Sequence, residues 1–262
     1  WPERSKCKLL TLPGLSACTV ALDWMHCKYL GSDQYMFGSV MWLLCFVVMP
    51  ETPLQNLLAC WIFISRFYKE QETEHRLKFL NKLSMFVRKS GFPKLRGKAA
   101  EIKGFGPALL ALWESQMKQS LDVHNKIRLM LKANVKAESL LDEHAKEYCL
   151  PAAAAVKFQD AVCLMFQLQS QVAEHFLQDE DNVKVFNRTS KIHFCCHSAR
   201  LAKYLNPRMV WCFRGEDMMR HTQKLAKACV RGLKKVGVPI KMAKYYRNGF
   251  HLRLKYKWGS GK

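Results

Sequence analysis

The sequence predicts a predominantly α-helical protein carrying a few short strands, near residues 18–22 and 251–258. Three observations predict it. From Pro53 to residue 177, apolar side chains recur at the i, i+3, i+4 spacing of amphipathic helices. Glycine and proline interrupt that pattern in one dense cluster, between Gly91 and Gly106. Runs that suit a strand, by β-branching or by period-two alternation, are confined to the two stretches named. With 49% hydrophobic and 24% charged residues over a length of 262, the chain can bury a real core in one or two domains.

Taken in order, the residues up to Ser16 carry Pro2, Pro13 and Gly14 and read as irregular, without an initiator methionine or a signal-peptide pattern; the opening reads as that of a piece of something longer. Cys18-Thr-Val-Ala-Leu22 is apolar, partly β-branched and stops at Asp23, so a strand is expected to deliver Asp23 at its end. A helix is expected over 24–48, broken near Gly31. Its residues 36–49 are nearly all apolar, but about 14 residues fall short of the roughly 20 that span a bilayer, so a buried helix and no membrane partner are expected. Leu54, Leu57, Leu58, Trp61, Ile62 and Ser65 mark the next helix, and Leu77, Leu80, Leu83 and Val87 continue the pattern. Gly91, Pro93, Gly97, Gly104 and Gly106 mark a turn-rich segment. Helices then follow over 107–119, 121–150 and 151–177, the last opening on a first-turn proline and an alanine run. Asp179, Glu180 and Asp181 read as a surface break. A helix over 191–204 ends at Asn206-Pro207, and another runs from Gly215 to about Val236, stopping at Gly237 and Pro239.

Charge is unevenly spread. The chain carries 42 lysines and arginines against 21 acids, a net +21. Residues 188–262 hold 19 of those cations and only two acids, Glu216 and Asp217, so +17 lies there and +4 in the first 187 residues. A localised excess of this size points to an anionic partner such as nucleic acid. In the helix after Gly215, the cations Arg220, Lys224, Lys227, Arg231 and Lys234 recur at steps of four and three and share one face. Met218, Thr222, Leu225, Cys229 and Val236 form the face that packs. His251-Leu-Arg-Leu-Lys-Tyr-Lys-Trp258 alternates strictly; as a strand it would put Arg253, Lys255 and Lys257 on one side. Cationic faces of this kind, with Arg214 nearby, suit DNA phosphates and carry no base information. Glu216 lies four residues before Arg220, where it extends the stripe or, alternatively, acts as a first-turn acid that pairs with Arg220.

The eleven cysteines are scattered and mostly lie in apolar runs, as at Cys45, Cys60, Cys163 and Cys229, which points to buried free thiols in a reducing, intracellular compartment. The densest cluster is His193-Phe-Cys-Cys-His197. It could ligate zinc, but no second half-site of suitable spacing accompanies it.

Two motifs carry a family resemblance. Leu22-Asp-Trp-Met-His-Cys-Lys-Tyr-Leu-Gly31 resembles the D-x-M-H…L-G element of the CACTA-like DDE transposases, including their fungal Plavaka-type relatives. Lys191-Ile-His-Phe-Cys-Cys-His197, then Asn206-Pro207, then Arg214-Gly-Glu216 with a basic helix, resembles their K-x-H-x-x-x-H…E segment, and Lys98 to Glu101 with Trp113 is similar to a helical stretch between the two. The resemblance implies part of a ribonuclease-H-like core in residues 1–50, a helical insertion over 51–187, and a basic region over 188–262 that carries the helix of the final glutamate. It implies two divalent cations, Mg²⁺ or Mn²⁺, held between carboxylates for in-line attack on DNA phosphodiesters. By position Glu216 matches the final glutamate, a catalytic and metal-binding role. Asp23 and His26 match the D-x-x-H element, with Asp23 either a metal ligand at the strand end or a member of that element. A working site of this kind needs another acid on an earlier strand, and Glu3, in a proline-flanked stretch, is not a convincing one; catalytic incompleteness is therefore expected. The same residues also fit a non-enzymatic helical binding or interaction module, in which Asp23, His26 and Glu216 are ordinary caps and core residues.

Overall fold

The computed structural model describes residues 12–13, 21–178, 184–230 and 237–258. Helix accounts for 72% of the residues, and no strand occurs among those described. The chain divides into two compact units, Trp1–Trp211 and Cys212–Lys262.

The first unit begins with an unbroken helical run whose hydrogen-bond register changes twice. A π-helical segment, Met25–Asp33, passes into α1, Gln34–Leu43, and then into a second π-helical segment, Leu44–Val48. The expected break at Gly31 is absent. Gly31 is there for close approach: a Cβ on it would stand 2.5 Å from Lys191 Cδ and 3.0 Å from the His26 carbonyl oxygen. The run is buried as its apolar composition demands, with Trp24, Tyr29, Met36, Phe37, Val40 and Met41 fully covered. No helix among the described residues is long and apolar enough to cross a membrane.

Helix α2, Pro53–Glu70, starts where the sequence signals it, at a proline in the first turn and a reciprocal Thr52–Gln55 capping box. After it the expected continuation through Leu77 and Val87 does not form a helix. Residues 73–98 are irregular apart from one 3₁₀ turn, Leu83–Met85. Leu77, Leu80 and Leu95 are still buried, so the apolar spacing reflected burial in a loop. That loop takes its backbone bonds from afar, for example Leu95 N–H to the Gln34 carbonyl at 2.8 Å.

Helix α3, Ala99–Gln116, opens eight residues earlier than the sequence suggests and runs through Gly104, Gly106 and Pro107. Glu101 accepts from the Lys98 backbone N–H at 2.9 Å and fixes that start. The two glycines that read as turn residues are approach residues. A Cβ on Gly104 would stand 2.0 Å from the His75 carbonyl oxygen. Alanine ordinarily stabilises a helix interior over glycine by about 1 kcal/mol. Here Gly104→Ala is expected to destabilise the chain by about 1–3 kcal/mol in a denaturant titration, because backbone must move; a gain in stability would refute the close approach.

Helix α4, Asp122–Glu143, stops at His144, short of the expected residue 150, and α5 spans Ala152–Gln178. These two neighbours form the largest helix–helix contact of the unit, and Ile127, Met130 and Leu131 on α4 and Phe158, Val162 and Met165 on α5 are buried. The acidic break at residues 179–181 lies outside the described residues. Helix α6, Ser190–Leu201, packs on α5 and on the first π-helical segment. Asn206, fully buried, donates to the carbonyls of His144 and Glu147 and accepts from Arg208 N–H, which holds the turn at Asn206-Pro207.

The second unit consists of α7, Phe213–Val230, and α8, Gly237–Trp258, packed on each other. The strand expected over 251–258 is instead the end of α8. An isolated strand leaves its N–H and C=O groups without partners, and no described strand is there to pair with it, whereas a helix satisfies them locally. Of the strand expected at 18–22, residues 18–20 lie outside the described residues, and Ala21 and Leu22 are not in a strand. Cys45, Cys60, Cys195 and Cys229 are buried free thiols, but Cys163, expected in the core, is exposed, as are Cys149 and Cys212. Phe158, Met165, Phe166 and Phe176 with alanines and valines fill the buried side of α5, and Cys163 falls on its solvent side.

Candidate functional site

The D-x-x-H element sits where the first helical turn begins, and that position decides what Asp23 does. Its Oδ1 accepts from Met25 N–H at 3.0 Å, the bond of an N-cap residue. Its Oδ2 is hydrogen-bonded to His26 Nδ1. With Nδ1 facing the carboxylate, the aspartate fixes the orientation of the imidazole. His26 is about two-fifths exposed and Asp23 about one-fifth, so the pair lies at the surface rather than in the core.

The second motif meets the first directly. Lys191 Nζ, at the start of α6, donates to the His26 carbonyl at 2.8 Å and to the Leu30 carbonyl at 3.3 Å. Residues more than 160 apart in sequence are thereby joined, and the lysine of K-x-H-x-x-x-H supplies an extra donor to the π-helical backbone. One turn further on, Cys195 lies in the same seam near Cys27. Burial raises both thiols above their ordinary range, so neither is a ready nucleophile. His193 and His197 lie on the opposite, exposed side of α6.

Beneath the D-x-x-H element lies a charged cluster that the sequence reading missed. Lys28 is fully buried, and its ammonium lies 2.7 Å from Asp33 Oδ2 and 2.9 Å from Glu138 Oε1. Asn134 Nδ2 donates to Asp33 Oδ1 at 3.1 Å, and Tyr29 Oη donates to Glu138 Oε2 at 2.8 Å. Burial pushes the Asp33 carboxyl up to about 6, outweighing the pull of Lys28. For Lys28 burial pushes down, but Asp33 and Glu138 together hold the ammonium above its ordinary value. Towards solvent, Lys103 pairs with Asp142 at 2.7 Å, Arg208 pairs with the same carboxylate, and the Arg208 guanidinium lies 4.5 Å over the Trp211 ring. A signal for the cluster existed: Lys28 and Asp33 are the only formal charges between Trp24 and Met49, and charges in a stretch expected to be buried must be paired.

In the second unit 14 lysines and arginines face two acids, Glu216 and Asp217. On α7, Arg220, Lys224 and Lys227 are exposed along one side, while Cys229 is buried and Thr222 and Leu225 are half-buried. Met218, expected on the packed face, is half exposed. The side chains of Arg214, Glu216, Arg253 and Lys257, and the whole of Arg231 and Lys234, lie outside the described residues. Lys255 is exposed, but on a helix, where neighbours two apart point about 200° from one another, so the expected cationic strand face does not exist. Helix α8 instead presents Lys244 and Arg247 beside exposed Tyr245, Tyr246 and Phe250.

For a two-cation phosphodiester centre the described residues are a poor fit. Both Asp23 oxygens accept from the chain itself, and no three His, Cys, Asp or Glu residues among those described converge on one point. Compared with known proteins, the chain matches no family model, no curated protein and no solved structure.

Proposed function

We propose that this chain derives from a CACTA-like DDE transposase and that it binds DNA phosphates through the basic region after residue 188 without cutting DNA on its own. The observation that carries the reading is the direct contact between its two motif segments, made by Lys191 on the carbonyls of His26 and Leu30. Joining of distant motif residues is what a shared catalytic core would require, and chance matches to short motifs have no reason to touch. The charge of the second unit supplies the affinity for phosphates. A nuclear, reducing setting follows from this reading, in which the free thiols stay reduced.

The non-cleaving part is tested by incubating the chain with labelled duplex DNA and Mg²⁺ or Mn²⁺. No nicking or strand joining is expected. Robust cleavage that is abolished by Glu216→Gln would show a complete centre and overturn it.

A second reading has an observation of its own. Asp23 is engaged as a helix cap, which a purely structural aspartate explains fully. On that reading the chain is a non-enzymatic helical module that binds nucleic acid or an acidic protein. On either reading Asp23→Asn should leave DNA affinity unchanged, because the cations that would meet phosphates lie after residue 188.

A further inference from the structure

We infer that His193 and His197 form a binding site for one borderline divalent transition-metal ion of the zinc and nickel class, on the solvent face of α6. The two histidines are four residues apart, so successive helical turns bring them side by side. Their Nε2 atoms are 2.9 Å apart while the ring centroids are 4.3 Å apart, so the nitrogen edges turn towards one another. Two imidazole nitrogens each about 2.0–2.1 Å from a metal and about 90–110° apart stand about 2.9–3.4 Å from each other. The observed separation, at which the two rings are hydrogen-bonded to each other, falls at the lower end of that range, so an ion would replace the bridging proton as the rings turn both lone pairs towards it.

The backbone beneath the pair is well anchored. Cys195, Ser198 and Ala199 are buried on the opposite side of α6, and Lys191 ties the helix to the first π-helical segment. The Phe194 ring meets His193 edge-on at 5.9 Å and restricts that imidazole. The ligand set is two neutral nitrogens, which suits zinc, nickel and copper and not Mg²⁺ or Ca²⁺. No third His, Cys, Asp or Glu among the described residues converges on the pair, so water completes the coordination sphere. Such an ion keeps exchangeable positions, as catalytic and bridging sites do and closed structural sites do not. The inference does not depend on the transposase reading, because it uses neither the carboxylates nor DNA.

Ni²⁺ is the probe of choice, since the many thiols of this chain compete for zinc more strongly. In a titration of the full chain followed by NMR of the histidine rings, the signals of His193 and His197 are expected to broaden together, at lower Ni²⁺ than those of the other histidines. His193→Ala and His197→Ala should each weaken binding by at least about 10-fold, the loss of chelation, and each should abolish the rise in melting temperature that Ni²⁺ gives the parent chain. Binding unaltered in both variants, or broadening of the two rings at different Ni²⁺ concentrations, would overturn the site. So would no binding at all, which would leave the pair as a hydrogen-bonded couple.

Discussion

Raising the salt concentration from 50 to 200 mM is expected to weaken the binding of this chain to duplex DNA by about 10³-fold. The figure follows from the exposed cations of the second unit. Arg220, Lys224 and Lys227 on α7 and Lys244, Arg247 and Lys255 on α8 make six, and each phosphate contact contributes about −0.9 to the slope of log affinity against log salt. A slope of about −5 is therefore expected in fluorescence-anisotropy titrations at several salt concentrations. Replacing Arg220, Lys224 or Lys227 by alanine should reduce it by roughly one each, and by the same amount for any DNA sequence. Arg66→Ala is the control: this arginine is exposed on α2 in the first unit, near Glu70, and should leave the slope unchanged. Salt-independent binding, or none, would remove the DNA reading altogether. The count is of the second unit alone; among the basic region's cations in the first unit, Arg188, Arg200 and Lys203 are exposed, whereas Lys191 and Arg208 are held on backbone carbonyls, Asp142 and Trp211.

The largest effect on stability is expected from Lys28→Met. Removing the ammonium strands two carboxylates in the core, a loss of about 3–5 kcal/mol when a buried pair is broken from one side. The loss should grow with pH. Asp33 already titrates near 6 when folded, above the ordinary carboxylate value of about 4. The folded chain thus holds that proton more tightly than the unfolded chain, so the contribution of Asp33 is most favourable below about pH 4 and is lost as pH rises through about 6. Without Lys28 the carboxyl should titrate higher still, so denaturant titrations at pH 5 and pH 8 should separate parent and variant more widely at pH 8. Lys28→Met/Asp33→Leu removes one of the two stranded carboxylates and should recover part of the deficit, since Glu138 keeps Tyr29 and Lys103 as partners. Equal losses at the two pH values would contradict the assignment.

The helical class was legible in the sequence because most apolar positions obey a period near 3.6, and the caps of α2 and the stop at Asn206-Pro207 were legible because their chemistry is local. The errors have physical causes. Leu77, Leu80, Leu83 and Val87 have helical spacing, yet three of the nearby backbone bonds go to distant residues or across the loop, a tertiary choice that no window along the chain records. Gly104 and Gly106 look the same in a turn and in a helix pressed against a carbonyl. The run from His251 to Trp258 alternates, but alternation without a partner strand has no ladder to join. Of the candidate site, Asp23 and His26 were identified as a pair and are hydrogen-bonded to each other. The role of Lys191 was not foreseen, because nothing in a lysine's sequence context says which carbonyls it will reach. Lys28 and Asp33 were overlooked for the opposite reason, since their charge alone demanded partners.

The π-helical segment has a consequence for how those partners meet. In an α-helix residues five apart diverge by about 140° around the axis, so Lys28 and Asp33 could not both point into the core and touch. The i→i+5 register, with more residues per turn, brings each residue closer in phase to the fifth before it, and Lys28–Asp33 is such a pair. The ion pair therefore works as a key for helical phase. Re-winding this segment to α geometry would swing Asp33 off its counter-ion, and with it would shift the His26 and Leu30 carbonyls that Lys191 holds. A one-residue deletion between Lys28 and Asp33, harmless by hydrophobic pattern, would change the lock on both sides of the helix at once.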